Sequence, residues 1–255
     1  MMTRRLVLGA GAAALICGPA RAADPVDPLQ SISWADMRDQ FLEGGPVVFD
    51  DRVVLSAPDA AEDALQVPFL ADAGAIGPVT RMVVFADLNP IPLILDYRPG
   101  ALAPLIAARF KIQQATPLRI AARDAQGLWH VAGQWVDAMG GGCTAPALAH
   151  GTDDWTAHLG ESEARLFDRA GRRRLRVSFR HPMDTGLANG IPAFYIERVE
   201  LETPDGRRLG DLATFEPVAE NPLFTVEIPA ALELPGLVVR ARDNNGNIFR
   251  RQVAL

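Results

Sequence analysis

The sequence predicts an all-β protein of two antiparallel sandwiches, with one short helix ahead of them. Three observations carry this expectation. Short apolar or alternating runs recur at intervals of about 8–12 residues with turn-forming residues between them, as in small sandwiches. Glycine (22) and proline (20) are more abundant than a helical bundle favours. One glycine-rich stretch, Met139–Gly160, interrupts the rhythm and separates two sets of such runs. The 255 residues are 49% hydrophobic and 22% charged, which supplies a core and excludes global disorder. The formal charge of −6 gives no electrostatic support to a nucleic-acid role.

Residues 1–22 read as an export signal. Arg4 and Arg5 form the basic start, an apolar run extends from Leu6 to about Ile16, and Ala20-Arg21-Ala22 is a small-residue cleavage site. The run is too short and too rich in glycine and alanine to anchor in a membrane. Thr3-Arg4-Arg5-Leu6-Val7-Leu8 matches a twin-arginine signal, with the general secretory route as the alternative. Either route leads to the periplasm. Removing Arg4, Arg5 and Arg21 takes the charge from −6 to −9, an acidic surface that does not seek anionic lipid. It also removes Cys17 and leaves Cys143 as the single thiol.

Residues 23–30 form a leader. Ser33 and Asp36 fit a capping box for a helix that buries Trp34, Met37 and Phe41 and stops at Gly44-Gly45. The first sandwich, within 31–139, takes strands at Val47–Phe49, Arg52–Leu55, Ala64–Leu70, Arg81–Ala86, Leu93–Tyr97, Ala107–Gln113, Leu118–Arg123 and Leu128–Trp135. Asp124-Ala125-Gln126-Gly127 is hairpin chemistry. The stretch 140–160 is a linker. The second sandwich, 161–255, takes strands at Arg173–Phe179, Ala193–Leu201, Leu223–Ile228, Leu237–Arg242 and Ile248–Val253, with turns at Asp205-Gly206 and Asn244–Asn247.

The chemistry points to Cys143. Gly140, Gly141 and Gly142 precede it, and three glycines are costly to order, so the expectation is an exposed thiol on a mobile arm. No cationic residue lies within Gly140–Ala149, so an ordinary thiol pKa near 8.5 and a small thiolate fraction at neutral pH are expected. His150, His158 and Asp153 or Asp154 are also ligand types, but Cys-x6-His-x7-His is no recognised metal spacing and no metal is expected. His130 reads as packing, and His181, before Pro182, as a residue that shapes a turn. Arg172-Arg173-Arg174 reads as a solvated or partner-facing run, and Trp155 as a pin holding the linker to a sandwich. There is no hydrolase elbow, P-loop or dinucleotide glycine motif, and a thiol peroxidase would lack a resolving cysteine in the mature chain.

Arg81–Pro90 (RMVVFADLNP), Ala107–Gln134 and Gly141-Gly142-Cys143 resemble SoxY, the sulfur-carrier subunit of a periplasmic thiosulfate-oxidising system. Arg180–Gly186 (RHPMDTG), Ile191–Ile196 (IPAFYI), Glu220-Asn221-Pro222 and Asp243–Gly246 resemble SoxZ, its partner. The order resembles fused SoxYZ-like carriers associated with quinoprotein dehydrogenases. Two departures stand out: Cys143 is not at a chain end, and Thr144-Ala145-Pro146 follows it where the family has glycines. The resemblance implies two immunoglobulin-like β-sandwich domains packed within one chain. It implies a carrier without catalytic machinery of its own. Cys143 would hold a sulfur intermediate covalently, with no other cofactor. The partners implied are Sox-type enzymes, or a quinoprotein dehydrogenase with a cytochrome. The alternative is a docking module for such a partner, in which the thiol is incidental. The exported protein is expected to begin at Ala23; N-terminal sequencing of the periplasmic form checks this, and a chain still starting at Met1 contradicts it.

Overall fold

The computed structural model describes residues 25–151, 154–169 and 171–254, with the side chain of residue 169 left out; the expected export signal, Cys17 included, lies outside them. No helix among the described residues is long and apolar enough to cross a membrane. Helix α1 (Trp34–Phe41) buries Trp34, Met37 and Phe41 as expected. The capping box does not form: Ser33 occupies the N-cap, but its backbone is already near-helical (φ −96°, ψ −2°) and its side chain caps nothing. The helix is held by its apolar face, which lies with Val83, Phe85, Trp129 and Val131 on the outer side of a sheet. The Arg119 guanidinium stacks 4.5 Å above the Trp34 ring and pairs with Asp27 and Asp87, tying the leader to the same face.

The first half contributes β1 (Val47–Phe49), β2 (Val54–Ser56), β3 (Val67–Asp72), β4 (Val79–Ala86), β5 (Leu93–Arg98), β6 (Leu105–Phe110), β7 (Thr116–Asp124) and β8 (Trp129–Val136). The second contributes β9 (Ser162–Arg169), β10 (Arg172–Phe179), β11 (Ile196–Glu202), β12 (Arg208–Thr214), β13 (Leu223–Pro229), β14 (Leu237–Asp243) and β15 (Ile248–Val253). All the expected strands are present, within a few residues of their expected bounds. β9 and β12 were not expected. In β9 the apolar positions Ala164 and Leu166 are only half-buried among charged neighbours, so the alternation is faint. In β12 the signal is broken by Gly210 and by the buried Asp211. Gly210 is there for space: a Cβ would lie 2.7 Å from Pro99 O.

Each half is an immunoglobulin-like sandwich, and the two halves share both of their sheets. The larger sheet runs β1-β8-β7-β4-β5-β12-β11-β14-β15 and the smaller β2-β3-β6-β13-β10-β9. Ladders cross the junction in both: β5 pairs with β12, with Tyr97 opposite Leu212, and β6 pairs with β13, with Ile106 opposite Val226. One continuous hydrophobic core fills the space between the sheets, from Val53 to Val253. Gly100 sits at the junction with φ +59°, and a Cβ there would lie 2.4 Å from Leu209 O. A Gly100→Val chain should therefore lose about 2 kcal/mol, roughly 4–8 °C of Tm for a chain of this size. Calorimetry should show both halves shifting together in one transition; two separated transitions would contradict the shared core.

Candidate functional site

Cys143 stands where the two halves meet. It does not hang on an exposed arm as the glycines suggested; it is fully buried, with 0% exposure. Gly140 and Gly141 take left-handed conformations (φ +99° and +95°), and Gly142 enters a slot that only a glycine fits. A Cβ on Gly142 would lie 2.1 Å from Ala64 O and 2.6 Å from Ile112 O. The Gly142 N–H donates to Ile112 O (3.0 Å). The glycines thus allow close backbone approach, which is as common a reason for glycine as mobility.

The first half holds Cys143 from one side. Its N–H donates to Gln113 Oε1 (3.1 Å), and its thiol donates to Lys111 O (3.4 Å). That carbonyl also accepts from Asn89 Nδ2 (2.9 Å), while Asn89 Oδ1 accepts from Gln113 N. The second half closes the other side. Thr185 Oγ1 donates to Cys143 O (2.6 Å). Thr185 belongs to the His181–Gly186 loop, which the left-handed Met183 (φ +52°) turns inward.

Lys111 joins the two halves. Its side chain is buried and its ammonium donates to Met183 O. It is the chain's only lysine among 25 basic residues. Burial lowers its pKa to about 8, against the pull of Asp184, Cys143 and Glu220. Burial likewise pushes the Cys143 thiol up to about 11, with the Lys111 charge acting in the opposite direction. The ordinary thiol pKa expected from the linker sequence is thus corrected. The thiolate fraction at pH 7 is therefore far below the few per cent expected. The sequence window Gly140–Ala149 held no cation because the cation comes from the end of β6.

The remaining polar groups order the surroundings. His181 is buried; its Nδ1 accepts from Met183 N (3.1 Å), so Nε2 carries the proton, and among the described residues Nε2 has no hydrogen-bond partner, with Asp243 Oδ2 at 3.6 Å. Burial lowers the His181 pKa to about 4 and keeps the ring neutral. Its ring packs 4.4 Å from that of Phe194. The turn-shaping role expected of His181 is what these contacts describe.

The described residues of the stretch read as a linker pack against this region. Residues 148–151 and 155–158 form short 3-10 turns. Glu220 accepts the backbone N–H groups of Leu148 (2.6 Å) and Ala149 (2.9 Å). His150 Nε2 lies 2.9 Å from Asp184 Oδ2, and Trp155 packs between His150 and Phe194, the pinning expected of it. His158 sits apart on the surface, with Asp154 and Glu161. His130 is distant and buried, bridging Asp50 and Asp124. Arg172 and Arg174 converge on Glu227, and Arg173 donates to Leu232 O.

Two sandwiches that share their sheets and close over one thiol define a thiol-bearing β-sandwich protein of two fused units. Residues 38–143 match the family model of sulfur oxidation protein SoxY, and residues 168–254 match that of sulphur oxidation protein SoxZ. The chain belongs to these two families as a SoxYZ fusion, and Cys143 is the last residue of the SoxY match. Among solved structures, the sulfur carrier protein SoxY from Chlorobium limicola f thiosulfatophilum is similar at 18% identity, covering 42% of this chain and 96% of that one with a TM-score of 0.38. No curated protein matches the chain.

Lys111 and Gln113 were not singled out from the sequence, and Asp184, Thr185 and Glu220 entered only as parts of the SoxZ-like motifs, with no site role assigned. Lys111 also carried a signal of its own, as a solitary lysine in an arginine-rich chain. Alkylation of Cys143 by iodoacetamide at pH 8 should run about a hundredfold slower in the folded chain than in urea, and should keep rising toward pH 11. Lys111→Met should displace that profile further upward. A profile that levels off near pH 8.5 in the folded protein would contradict the burial described.

Proposed function

We propose that this SoxYZ fusion is a periplasmic carrier that holds a sulfur intermediate covalently on Cys143 while partner oxidoreductases act on it. The observation that carries the reading is the position of Cys143: the SoxY match ends on it, and the His181–Gly186 loop of the SoxZ half closes around it. A carrier needs one nucleophile, protected between partners and presented to each in turn. Attachment is an oxidation: Cys–S⁻ and R–S⁻ join as Cys–S–S–R, and the two electrons released pass to the partner oxidoreductase. The chain thus supplies the anchor and the partner supplies the redox chemistry, in keeping with families of carriers and adaptors rather than catalysts.

The closed site supports a particular way of working. Cys143 is buried and protonated here, so loading requires the chain that follows it to open. Among the described residues of that chain, the Glu220 carboxylate, the His150–Asp184 pair and the Trp155–Phe194 contact are holding groups. Gly141 is the swivel, since nothing lies within 4 Å of a Cβ placed on it, whereas one on Gly140 would lie 2.8 Å from Gln113 O. In the opened state Lys111 is the counter-charge for the thiolate or for an anionic adduct. The swinging arm inferred from the glycines becomes, in this reading, the open form of a cysteine that rests in a slot.

The burial of Cys143 and its raised pKa favour a second reading, a docking module in which the thiol is structural. Cys143→Ser separates the two. Under the carrier reading the variant folds and is exported, yet the intact mass of protein from sulfur-oxidising cells lacks every sulfur adduct and turnover with the partner system falls to background. Full turnover by the variant would establish the docking module instead.

A further inference from the structure

The outer face of the smaller sheet carries an arrangement that the carrier reading does not use. β9 and β10 pair with Arg165 directly opposite Arg176, a like-charge juxtaposition that costs stability. Arg109, near the end of β6, lines the same open cleft of about 430 Å³. The nearest acid to these three guanidiniums is Glu163, 3.7 Å from Arg165. Arg109 and Arg176 have no ion pair and no side-chain hydrogen bond among the described residues.

The chain neutralises arginines elsewhere on its sheets. On β10 itself, Arg172 and Arg174 share Glu227. On the larger sheet, Glu200 collects Arg198, Arg208 and Arg240. The row Arg109, Arg165, Arg176 is therefore a local cationic surplus in a chain whose net charge is −6. An apolar ring lies within it: Phe167 is 41% exposed. Arginine with an exposed aromatic ring is the composition of a protein interface rather than of an idle surface.

The place of the row also matters. Asn221 lines the arginine cleft at one end and also lines the neighbouring cleft, with His181, Glu220 and Leu148. Asn221 Oδ1 accepts from His181 N, and Glu220 accepts the Leu148 and Ala149 N–H groups. The arginine face thus runs up to the His181–Gly186 loop, whose Thr185 bonds to Cys143 O.

We propose that the Arg109–Arg165–Arg176 face is the docking surface for an acidic protein surface, one lined by aspartate and glutamate on the partner that receives the carrier. Carboxylates suit it because a guanidinium accepts them in a two-pronged geometry, and the flat sheet with Phe167 adds apolar contact that a small anion would not use. Its link to sulfur loading rests on the carrier reading; the recognition itself does not. Docking there places the partner beside Glu220 and the Leu148 and Ala149 groups that it holds.

The test uses the full exported chain and a fluorescein-labelled oligo-glutamate peptide, with binding followed by anisotropy at low and physiological salt. Arg109→Gln/Arg165→Gln/Arg176→Gln should weaken binding about tenfold or more, and the wild-type affinity should fall as salt rises. Arg207→Gln/Arg250→Gln/Arg251→Gln removes the same charge elsewhere and should change binding less than about twofold. Equal losses in the two triple variants would mean that net charge alone attracts the peptide, and would overturn the proposal; so would no loss in either. Displacement of the peptide by thiosulfate, beyond that by sodium chloride of equal ionic strength, would make the cleft a small-anion site and overturn it as well. Cys143→Ser should bind the peptide like wild type, so that failure of the carrier reading and failure of this surface are separate results.

Discussion

The two ladders that cross the junction, β5 with β12 and β6 with β13, govern the rest of the molecule. Because both sheets run through, the halves cannot shift relative to one another without breaking main-chain hydrogen bonds and opening a single core. That rigidity fixes the end of β6 against the second half, where Lys111 N donates to Pro217 O and Ala219 N donates to Arg109 O. The Cys143 slot is built on this fixed edge. Its floor comes from the first half (Ala64, Ile112, Gln113) and its closure from the second (Thr185, Met183). Neither half alone supplies a complete site.

The same geometry explains why the thiol is quiet. Cys143 is surrounded by backbone carbonyls and apolar groups, and desolvation disfavours its anion more than the single Lys111 charge favours it. The lysine is itself buried and pays a similar desolvation penalty, which keeps it close to losing its proton. An arginine in its place would stay charged throughout. The result is a thiol held protonated beside a lysine whose pKa the same burial lowers. Burial by itself shields the Cys143 thiol from solvent oxidants.

The polar framework around the slot is ordered by groups that are individually modest. His181 is neutral and oriented by one backbone N–H; Glu220 caps two others; Asn221 ties the His181 loop to the β13 side. Met183 and Asn221 both adopt left-handed backbones, which turn the chain sharply on either side of the site. Each of these residues lies in a stretch that carried the SoxZ resemblance. The motif is thus, in this chain, largely a set of backbone-shaping residues that close over a cysteine belonging to the other half.

Much of this protein was legible in its residues. The period-two runs and turn residues set the strands, because alternation and hairpin chemistry are local. Asp124–Gly127 and Asn244–Asn247 turn where they should, with Asp124 and Asp243 side chains accepting the turn N–H groups. The cysteine that follows three glycines, Cys143, marked the site, and the two sets of motifs marked the families. Strands β9 and β12 were not legible, since one is a charged edge and the other carries a glycine and an aspartate whose partners lie in distant strands. The state of Cys143 was not legible either. Three glycines are compatible with a free arm or with a narrow slot, and only the carbonyls of Ala64 and Ile112, brought from elsewhere in the chain, decide for the slot. The cation beside the thiol is 32 residues away in sequence and arrives through β6, so its effect on the thiol belongs to the tertiary structure alone.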